Sequence, residues 1–427
     1  MIDNVYQLIA PRTVAIKFED VDIANKVIVR PLYMAVCHAD QRYFQGKRDP
    51  EVMRKKLPMA LIHECMGEVL ADATHTFNVG DPVVMIPNIP GHGPDGVYEN
   101  YASGSAFRSS GHDGFMREFV ALPADRVVSC AGVEPHVAAI TEFVSVTMHG
   151  IHRFDIAAHA KRDRIAIIGD GSLAYALACT LSCQYPECEI VVVGHDPEKL
   201  SMFSFVAERY LSYEAPADLT FDHAFECAGG EGSTSAIDFV IEHIQPQGTL
   251  MLMGVSEHPV PVFTRNVLEK GMTLVGCSRS GRDDFLAAID VMRDKDIQRR
   301  LSQIVHFDEE VKDIKDIKRV LATDLKTRSK RYLSGACNGL DAEGEAPRGL
   351  GPRCRAVFAS NYLGAFGRFI CDGSIDERYD RHPCCGARAF CGQPAAWLPR
   401  REKPLAFPVS ACGHLLVPFD ASYFWRA

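Results

Sequence analysis

The stretch RIAIIGDGSLAYALACTLSCQ, residues 164–184, is the strongest indication of the fold in this chain. The uninterrupted apolar run at residues 165–168 is typical of a strand that is buried on both faces. It leads into a GxGxxA turn at residues 169–174 that opens a predicted helix, and a second apolar run follows at residues 191–193. The order of strand, tight turn, helix and strand predicts a βαβ unit that binds a dinucleotide.

Each small residue of this turn has an expected role toward the cofactor. Gly169 permits the tight turn, Gly171 lets the backbone approach a pyrophosphate, and Ala174 lets the helix pack closely on the sheet. The N-terminus of the helix offers unpaired N–H groups to the anion. A cofactor with a pyrophosphate is therefore predicted here.

Outward from this unit, the chain divides into regions of different pattern. Toward the C-terminus, strand-like and helix-like segments alternate, which predicts a parallel sheet with helices on both faces, a Rossmann domain, over residues 146–279. Toward the N-terminus, short strand-like runs broken by Gly, Pro and Asp predict a β-rich domain over residues 1–145, completed by about residues 280–330. The predicted fold class is α/β, with a β-rich domain beside a doubly wound parallel sheet.

The end of the second strand bears on the choice between NAD and NADP. An NAD site usually carries Asp or Glu at this point, holding the ribose 2′-hydroxyl. Here the strand ends in Gly194-His195, with Lys199 one helical turn further on. Gly194 leaves room and brings no negative charge, and His195 and Lys199 are placed to meet a 2′-phosphate, so NADP is favoured. Asp196 keeps the alternative open, because it could still serve NAD.

Composition argues against several classes of function. The chain has 427 residues, of which 47% are hydrophobic and 24% charged, and a formal net charge of −9 that argues against a nucleic-acid partner. No apolar run approaches the length of a membrane span. Residues 1–20 read as a strand without the basic start and apolar core of a signal peptide. A cytoplasmic location is expected, with the fifteen cysteines as reduced thiols or metal ligands.

A second set of residues, N-terminal to the Rossmann pattern, has the side chains of a metal site. In chain order they are the run Cys37-His38-Ala39-Asp40, the pair His63-Glu64, and Glu142. Cys37 would supply a thiolate, His63 an imidazole nitrogen, and a glutamate an oxygen, the donor types of an open catalytic zinc site. Asp40 is placed to orient a ligand histidine. Zinc beside a dinucleotide points to hydride transfer at a polarised carbonyl or alcohol.

These motifs resemble the zinc-dependent medium-chain dehydrogenase/reductase family over residues 1–327. The matching stretches are CHAD at 37–40, HE at 63–64 before GEV at 67–69, VGDPVV at 79–84, GFMREFV at 114–120 and the GxGxxA turn. The resemblance implies a GroES-like catalytic domain with Cys37, His63 and Glu142 as standing zinc ligands. It also implies that Glu64 exchanges with water or substrate and that His38 touches the cofactor pyrophosphate.

The chain departs from the family pattern in three places. Residues 88–111 lack the four cysteines of a structural zinc, so a single zinc is expected. Ile62 stands where a glycine often precedes His-Glu. Ala39 stands where a Ser or Thr often relays the proton, so proton delivery must use water or another group, with Glu64 and His149 as the options left open.

Longer stretches are similar to the ribulose-5-phosphate reductases of this family, also called ribitol-5-phosphate dehydrogenases; among them are YMAVCHADQRYFQGKRDP, FRSSGHDGFMREFV and TEFVSVTMHG. The resemblance implies zinc-dependent reduction of D-ribulose 5-phosphate to D-ribitol 5-phosphate with NADPH, for CDP-ribitol synthesis in teichoic acid or capsule assembly. Zinc would polarise the C2 carbonyl that accepts the hydride. A homodimer and functional coupling to a ribitol-5-phosphate cytidylyltransferase are also expected.

Substrate and cofactor contacts outside the motifs are expected in two places. A phosphosugar needs cations near the cleft, and the loop cations beside the zinc motifs are Arg42, Lys47, Arg48, Arg108 and His112. At the carboxyl edge of the parallel sheet, Glu226, Cys227 and Gly229 are expected to line the cofactor pocket. The run at 278–280 is expected near the nicotinamide or at a dimer edge, with a plain strand-end turn as the alternative.

Two other functions stay open. The chain could be an NAD-dependent zinc polyol or alcohol dehydrogenase for an unphosphorylated substrate, or a non-catalytic NADP-binding protein inactivated by its altered C-terminus. The second draws support from residues 331–427, which hold both tryptophans and seven of the fifteen cysteines and show little periodicity. A frameshift or fusion near residue 328 is suspected, and this tail is expected to be irregular.

Overall fold

The structure, a computed structural model, describes residues 1–94, 96–306, 311 and 313–322. The tail at 331–427, with the expectation that it is irregular, lies outside the described residues. Within them, no helix combines the length and the apolar character that a membrane crossing requires. The domain boundaries at residues 145 and 279 stay predictions.

The N-terminal region is mainly antiparallel β-structure. Its elements are β1 (Ile2–Ala10), β2 (Thr13–Asp20), β3 (Val27–Ala35), α1 (His38–Phe44), α2 (Pro50–Lys56), β4 (Met59–Ala60), β5 (Glu64–Asp72), β6 (Pro82–Met85), β7 (Asn88–Ile89), β8 (Ala106–Phe107), β9 (Val120–Leu122), β10 (Val127–Ser129) and α3 (Pro135–Ala138). Five strands form one sheet in the order β10-β6-β5-β3-β9, and β2-β1-β4 form a second. Alternate residues of these strands face a shared apolar core that includes Val5, Val29 and Val69.

The N-terminus forms a hairpin, whereas the sequence pattern predicted one strand. The β1 and β2 strands pair antiparallel from Ile2 and Asp20 to Ala10 and Thr13. Arg12 in the connection takes a left-handed φ of 59°. Pro11 and the left-handed residue after it reverse the chain, and a period-2 pattern does not reveal such a reversal when it continues on both sides.

The second region alternates helices with parallel strands. Its elements are α4 (Thr141–Ala157), β11 (Arg164–Ile168), α5 (Ser172–Gln184), β12 (Glu189–Gly194), α6 (Pro197–Met202), β13 (Glu208–Leu211), β14 (His223–Glu226), α7 (Gly232–His243), β15 (Thr249–Leu252), α8 (Thr264–Lys270), β16 (Thr273–Gly276), α9 (Arg282–Met292), α10 (Lys295–Leu301) and α11 (Ile314–Ala322). Six strands pair in the order β13-β12-β11-β14-β15-β16, all parallel.

This strand order makes the second region a doubly wound sheet. The order reverses between β11 and β14, and ligands bind in the crevice at the carboxyl ends of the strands at such a point. The predicted α/β fold class is confirmed. The sequence pattern missed β13, because this edge strand is polar and only half-buried, with no apolar run to indicate it.

The chain returns to the N-terminal core after the Rossmann sheet. Phe285 on α9 and Leu301 on α10 pack in the same core as Val144 on α4. Further on, Ile317 and Leu321 of α11 join the core of the β-rich region. Helix α11 therefore returns to the β-rich body, whereas α9 and α10 pack with α4 in the core that also contains residues of the parallel sheet.

Candidate active site

Cys37 lies at the junction of β3 and α1, where it is the N-cap residue of the helix. The carboxylate of Asp40, three residues on, accepts a hydrogen bond from the Cys37 backbone N–H over 3.2 Å, and the Cys37 Sγ lies 3.2 Å from the same oxygen. Asp40 is fully buried. This local ring fixes the direction of the thiol toward the interior.

The other oxygen of Asp40 organises the second ligand segment. It accepts hydrogen bonds from the backbone N–H of Ile62 and the hydroxyl of Ser109, each over 3.0 Å, and lies 3.9 Å from Nδ1 of His63. The distance to Nδ1 is too long for a hydrogen bond, so Asp40 acts on the His63 segment through the backbone of Ile62, and its predicted role toward the histidine ring stays a prediction. Ser109 was missed, because its place in the loop around FRSSGH carries no local signal of a contact 69 residues away.

The backbone at Ile62 shows why a glycine often precedes His-Glu in this family. It has a left-handed φ of 70° although it is a buried β-branched residue, a backbone conformation that favours glycine. The turn directs His63 toward Cys37 and places Glu64 at the start of β5. The chain keeps this geometry because the Ile62 N–H is held by Asp40.

The fold brings the predicted ligands together in one cluster. Nε2 of His63 lies 3.4 Å from Sγ of Cys37. Donor atoms of Cys37, Asp40 and His63, and again of His63, Glu64 and Glu142, all lie within 4.8 Å of one another in each group. Glu142 enters from the first turn of α4. In the described part of the chain these two overlapping groups are the metal-ligand clusters that the side chains form.

The electrostatics of the cluster fit a divalent cation. Burial, and then the carboxylates of Asp40 and Glu64, raise the pKa of Cys37 well above its ordinary value. Burial and the neighbouring carboxylates of Glu142 and Asp40 likewise raise the pKa of Glu64. Burial also raises the pKa of Glu142, although His63 acts in the opposite direction. Acids that repel one another in a dry site need a positive charge, and the thiol, imidazole and carboxylate donors are those of zinc.

The GxGxxA turn has the geometry that the sequence predicts. Gly169 has a φ of 136°, and a Cβ there would lie 2.9 Å from the backbone carbonyl carbon of Cys227, so only glycine fits. A Cβ at Gly171 would meet nothing within 4 Å, which leaves open space in front of the N-terminus of α5. Ala174 is fully buried in the core under that helix. The open space at Gly171 fits a cofactor pyrophosphate.

The end of β12 differs from the predicted picture. Gly194 does not leave room, because a Cβ there would lie 2.7 Å from Cβ of Asp170. The carboxylate of Asp170 accepts the backbone N–H groups of His195 and Asp196 over 2.7 and 2.8 Å, and its other oxygen lies 3.6 Å from Nζ of Lys199. The prediction that Gly194 brings space without negative charge is therefore wrong, since Asp170 fills that space.

The residues around this loop favour NADP over NAD. The carboxylate of Asp196, the alternative ligand for an NAD ribose, instead caps α6 by accepting the N–H groups of Glu198 and Lys199. His195 is exposed and its Nδ1 lies 3.0 Å from the Ser212 hydroxyl. His195 is thus on the exposed side of the loop, and Lys199 is half-buried beside Asp170.

Glu226, Cys227 and Gly229 at the carboxyl edge of the sheet are the residues that the sequence places in the cofactor pocket. Glu226 is buried, and its carboxylate accepts the N–H groups of Gly229 and Gly254 over 2.9 and 3.0 Å and the Ser233 hydroxyl over 3.2 Å. It therefore holds two glycine loops together. The sequence predicts that Glu226 lines the cofactor pocket, and the structure instead gives it this structural role. Cys227 lies directly against Gly169.

His149 lies in a separate buried network. Its Nδ1 is 3.0 Å from Asp284, and its Nε2 is 3.0 Å from the Tyr101 hydroxyl. The same carboxylate group accepts from His152 over 2.7 Å. Burial alone would raise the pKa of Asp284, but the two histidines outweigh it and lower that pKa to about 2. Of the two proton donors left open, Glu64 is the one that lies inside the ligand cluster.

The cations expected near a substrate phosphate differ in their partners and in their exposure to solvent. Arg42 and Arg48 both form ion pairs with Glu257, the latter at 2.9 Å. Arg108 is half-buried and donates to the backbone carbonyl of Asp113. His112 is exposed. The role of these residues toward a substrate stays a prediction.

Comparison with known proteins identifies the family. Residues 23–132 match the alcohol dehydrogenase GroES-like domain, and residues 171–294 match the zinc-binding dehydrogenase domain. The chain belongs to the zinc-binding medium-chain dehydrogenases. The family resemblance and the GroES-like domain expected from the sequence are thereby confirmed.

Several relatives within this family are similar over nearly their whole length. The ribulose-5-phosphate reductase of Streptococcus pneumoniae is 55% identical over 333 residues, covering 77% of this chain and 96% of that protein. Ribulose-5-phosphate reductase 1 of Staphylococcus aureus is 47% identical over 330 residues, covering 77% and 97%. A solved structure of S. aureus TarJ in complex with NADPH is 43% identical, with a TM-score of 0.68, covering 76% of this chain and 96% of that one.

More distant dehydrogenases share the fold alone. L-idonate 5-dehydrogenase of Escherichia coli has a TM-score of 0.65 at 20% identity, covering 75% of this chain and 94% of that one. A zinc-binding dehydrogenase fold therefore persists while most of the sequence changes. The specific substrate has to be argued from this chain's own site and from the nearer relatives.

Proposed function

We propose that this protein reduces D-ribulose 5-phosphate to D-ribitol 5-phosphate with NADPH at a zinc site formed by Cys37, His63, Glu64 and Glu142. The observation that carries the proposal is the buried donor cluster beside an open GxGxxA turn. The substrate comes from the relatives named ribulose-5-phosphate reductase, whose length the chain covers almost completely. This is the reaction that the sequence resemblance implied.

The chain's own residues prepare the site for this chemistry. Bound zinc supplies Lewis-acid polarisation of the substrate carbonyl, and bound NADPH supplies the hydride. Cys37, His63 and Glu142 hold the metal position, and Asp40 orients His63. Glu64 is a buried acid inside the ligand cluster, and when it is exchanged from the metal by water or substrate it can give the product oxygen its proton. Gly171 and α5 hold the pyrophosphate of the cofactor.

The proposal also includes the oligomeric state of the protein and its place in the cell. In the described residues β16 pairs only with β15, and the neighbouring helix α8 buries none of its side chains. An uncovered edge strand of this kind supports the expected homodimer. Coupling to a ribitol-5-phosphate cytidylyltransferase, a place in teichoic acid or capsule synthesis and a cytoplasmic location complete the proposal.

The deciding experiment is NADPH oxidation by the full chain with D-ribulose 5-phosphate, with and without a zinc chelator. We expect turnover that the chelator abolishes and added zinc restores. D-ribulose is the matched substrate without the phosphate. Equal kcat/KM for the two sugars would contradict the phosphosugar specificity and favour a polyol dehydrogenase, and zinc-loaded protein without turnover would favour a non-catalytic NADP-binding protein.

A further inference from the structure

Arg279 occupies an unusual backbone conformation between β16 and α9. Its φ is 61°, in the left-handed region that residues with side chains rarely adopt. Strained backbone of this kind persists where the surrounding structure holds it, and it is common at functional sites. The segment lies at the carboxyl edge of the parallel sheet, on the side where ligands bind.

Hydrogen bonds on both sides hold Arg279 in this conformation. On one side, Ser278 donates its N–H to the Tyr101 hydroxyl and accepts from the Asn100 amide, each over 2.9 Å. On the other side, the Ser280 and Ser145 hydroxyls lie 2.7 Å apart in the interior. The segment with Asn100 and Tyr101 and helix α4 thus fix the direction in which the Arg279 side chain leaves the backbone.

The guanidinium of Arg279 lies one aromatic ring away from the metal-ligand cluster. Its Cζ lies 5.2 Å from the centroid of the Phe107 ring. The Phe107 ring in turn meets His63 edge-on, with 5.3 Å between the ring centroids. Stacking on Phe107 keeps the planar fork of the guanidinium in place next to the site.

Arg279 carries a charge that the protein does not neutralise. It is half-buried, and within the described part of the chain its guanidinium has no carboxylate partner and no hydrogen bond to another residue. Arg42 and Arg48, in contrast, share Glu257. Because the guanidinium is half-exposed and pairs with no carboxylate among the described residues, it is available to an anionic ligand.

We infer that Arg279 binds the phosphate group of the substrate and sets the preference for a phosphorylated sugar. The inference rests on the proposed function. Five covalent bonds separate C2 of ribulose 5-phosphate from phosphorus, so the phosphate lies a short way beyond the carbonyl at the metal, as Arg279 does beyond His63. The guanidinium fork matches two phosphate oxygens and discriminates a dianion from a hydroxyl.

The test compares kcat/KM for D-ribulose 5-phosphate and D-ribulose in the zinc-loaded full chain and in Arg279→Met. Methionine keeps the length and apolar stem and tolerates the left-handed backbone no better or worse than arginine. We expect kcat/KM for the phosphosugar to fall about 10- to 100-fold while that for ribulose stays within about 2-fold, since one charge-assisted contact is removed. Inhibition by inorganic phosphate, competitive with the phosphosugar, should weaken in parallel.

Two further variants make the test specific. Arg300 is also half-buried and stacked on an aromatic ring, Phe205, with 4.3 Å from its Cζ to the ring centroid, so Arg300→Met controls for loss of a stacked arginine and should keep the phosphate preference. Arg42→Met tests the other predicted phosphate ligand. Phosphate preference that survives in Arg279→Met, or disappears in Arg42→Met instead, would overturn the inference.

The failure of this inference can be told apart from failure of the proposed function. If the unmodified chain turns over ribulose 5-phosphate and prefers it, but Arg279→Met does so equally well, only the role of Arg279 is lost. If the unmodified chain reduces neither sugar, the proposed function fails first. Circular dichroism and zinc content of each variant check that fold and metal are retained.

Discussion

Helix α4 connects two buried acidic clusters that differ in how their charge is balanced. At its first turn Glu142 joins Glu64, Asp40 and Cys37, and burial together with mutual repulsion raises the pKa values of Glu64 and Cys37. Two turns later His149 meets Asp284, where two histidines lower the pKa of the acid to about 2. The protein compensates the second cluster internally, whereas the first needs a cation from outside.

The difference separates a structural network from a functional site. An internally satisfied carboxylate stabilises the fold as it stands. A cluster of uncompensated acids destabilises the metal-free fold and becomes favourable only when a metal binds, because binding free energy then offsets the repulsion. Burial of charged groups alone would not have distinguished the two.

Removing a ligand from the first cluster should have the largest effect. We expect His63→Ala to lose bound zinc and to lower kcat/KM by about 1000-fold, since carbonyl polarisation by the metal supplies several kcal/mol. Metal analysis and NADPH oxidation measure both. The matched control is His152→Ala, which removes a histidine from the second cluster and should leave the zinc content unchanged. Equal zinc loss in both variants would contradict the assignment of the metal to the first cluster alone.

Breaking the second cluster should cost stability. The pKa of Asp284, about 2 against an ordinary 3.8, corresponds to about 2 kcal/mol of folding free energy. A lowered pKa stabilises the fold above the ordinary value, and this contribution is lost as the pH falls from about 4 toward 2. Asp284→Asn should lower the free energy of unfolding by that amount at neutral pH and remove this part of the acid dependence. Denaturant titrations at several pH values check it.

At the first cluster, removing an acid is expected to stabilise the metal-free protein, not to destabilise it. Glu142→Gln removes one of the repelling acids, so in chelator-treated protein it should raise the free energy of unfolding by about 1 kcal/mol. With zinc present it should lower the stability, because a ligand is lost. Thermal unfolding with and without zinc measures the change in stability of the variant in both states. A destabilised metal-free Glu142→Gln would show that its carboxylate is compensated after all.

The smallest effect is expected at the cofactor end, where a third carboxylate is partly compensated. Asp170 is satisfied by two backbone N–H groups and pairs with Lys199 at 3.6 Å. Lys199→Met should raise KM for NADPH about 5-fold and leave KM for NADH unchanged, as expected for one partly exposed ionic contact. Steady-state kinetics with both cofactors decide this. A Gly194→Asp exchange is a poorer test, because its side chain would meet Asp170.

The order of the strands and helices around the GxGxxA turn, and the donor types of the metal site, follow from the amino-acid sequence without a structure. Local patterns carry this information, because apolar runs set burial and small residues set the turn at Gly169. The hairpin of residues 2–20 and the polar strand β13 were missed, because turn geometry and edge pairing leave little trace in periodicity.

Which charged and polar groups compensate one another became clear from the folded structure. It showed that Asp170 fills the space beside Gly194, that Glu226 holds two loops, and that Arg279 stacks on Phe107, the ring that meets His63. These contacts join residues far apart in sequence, and each depends on ångström-scale distances in a poorly solvated interior. Electrostatic energies vary steeply with such distances and with burial. The sequence therefore indicates which residues are candidates for the site, and the folded geometry determines what each of them does.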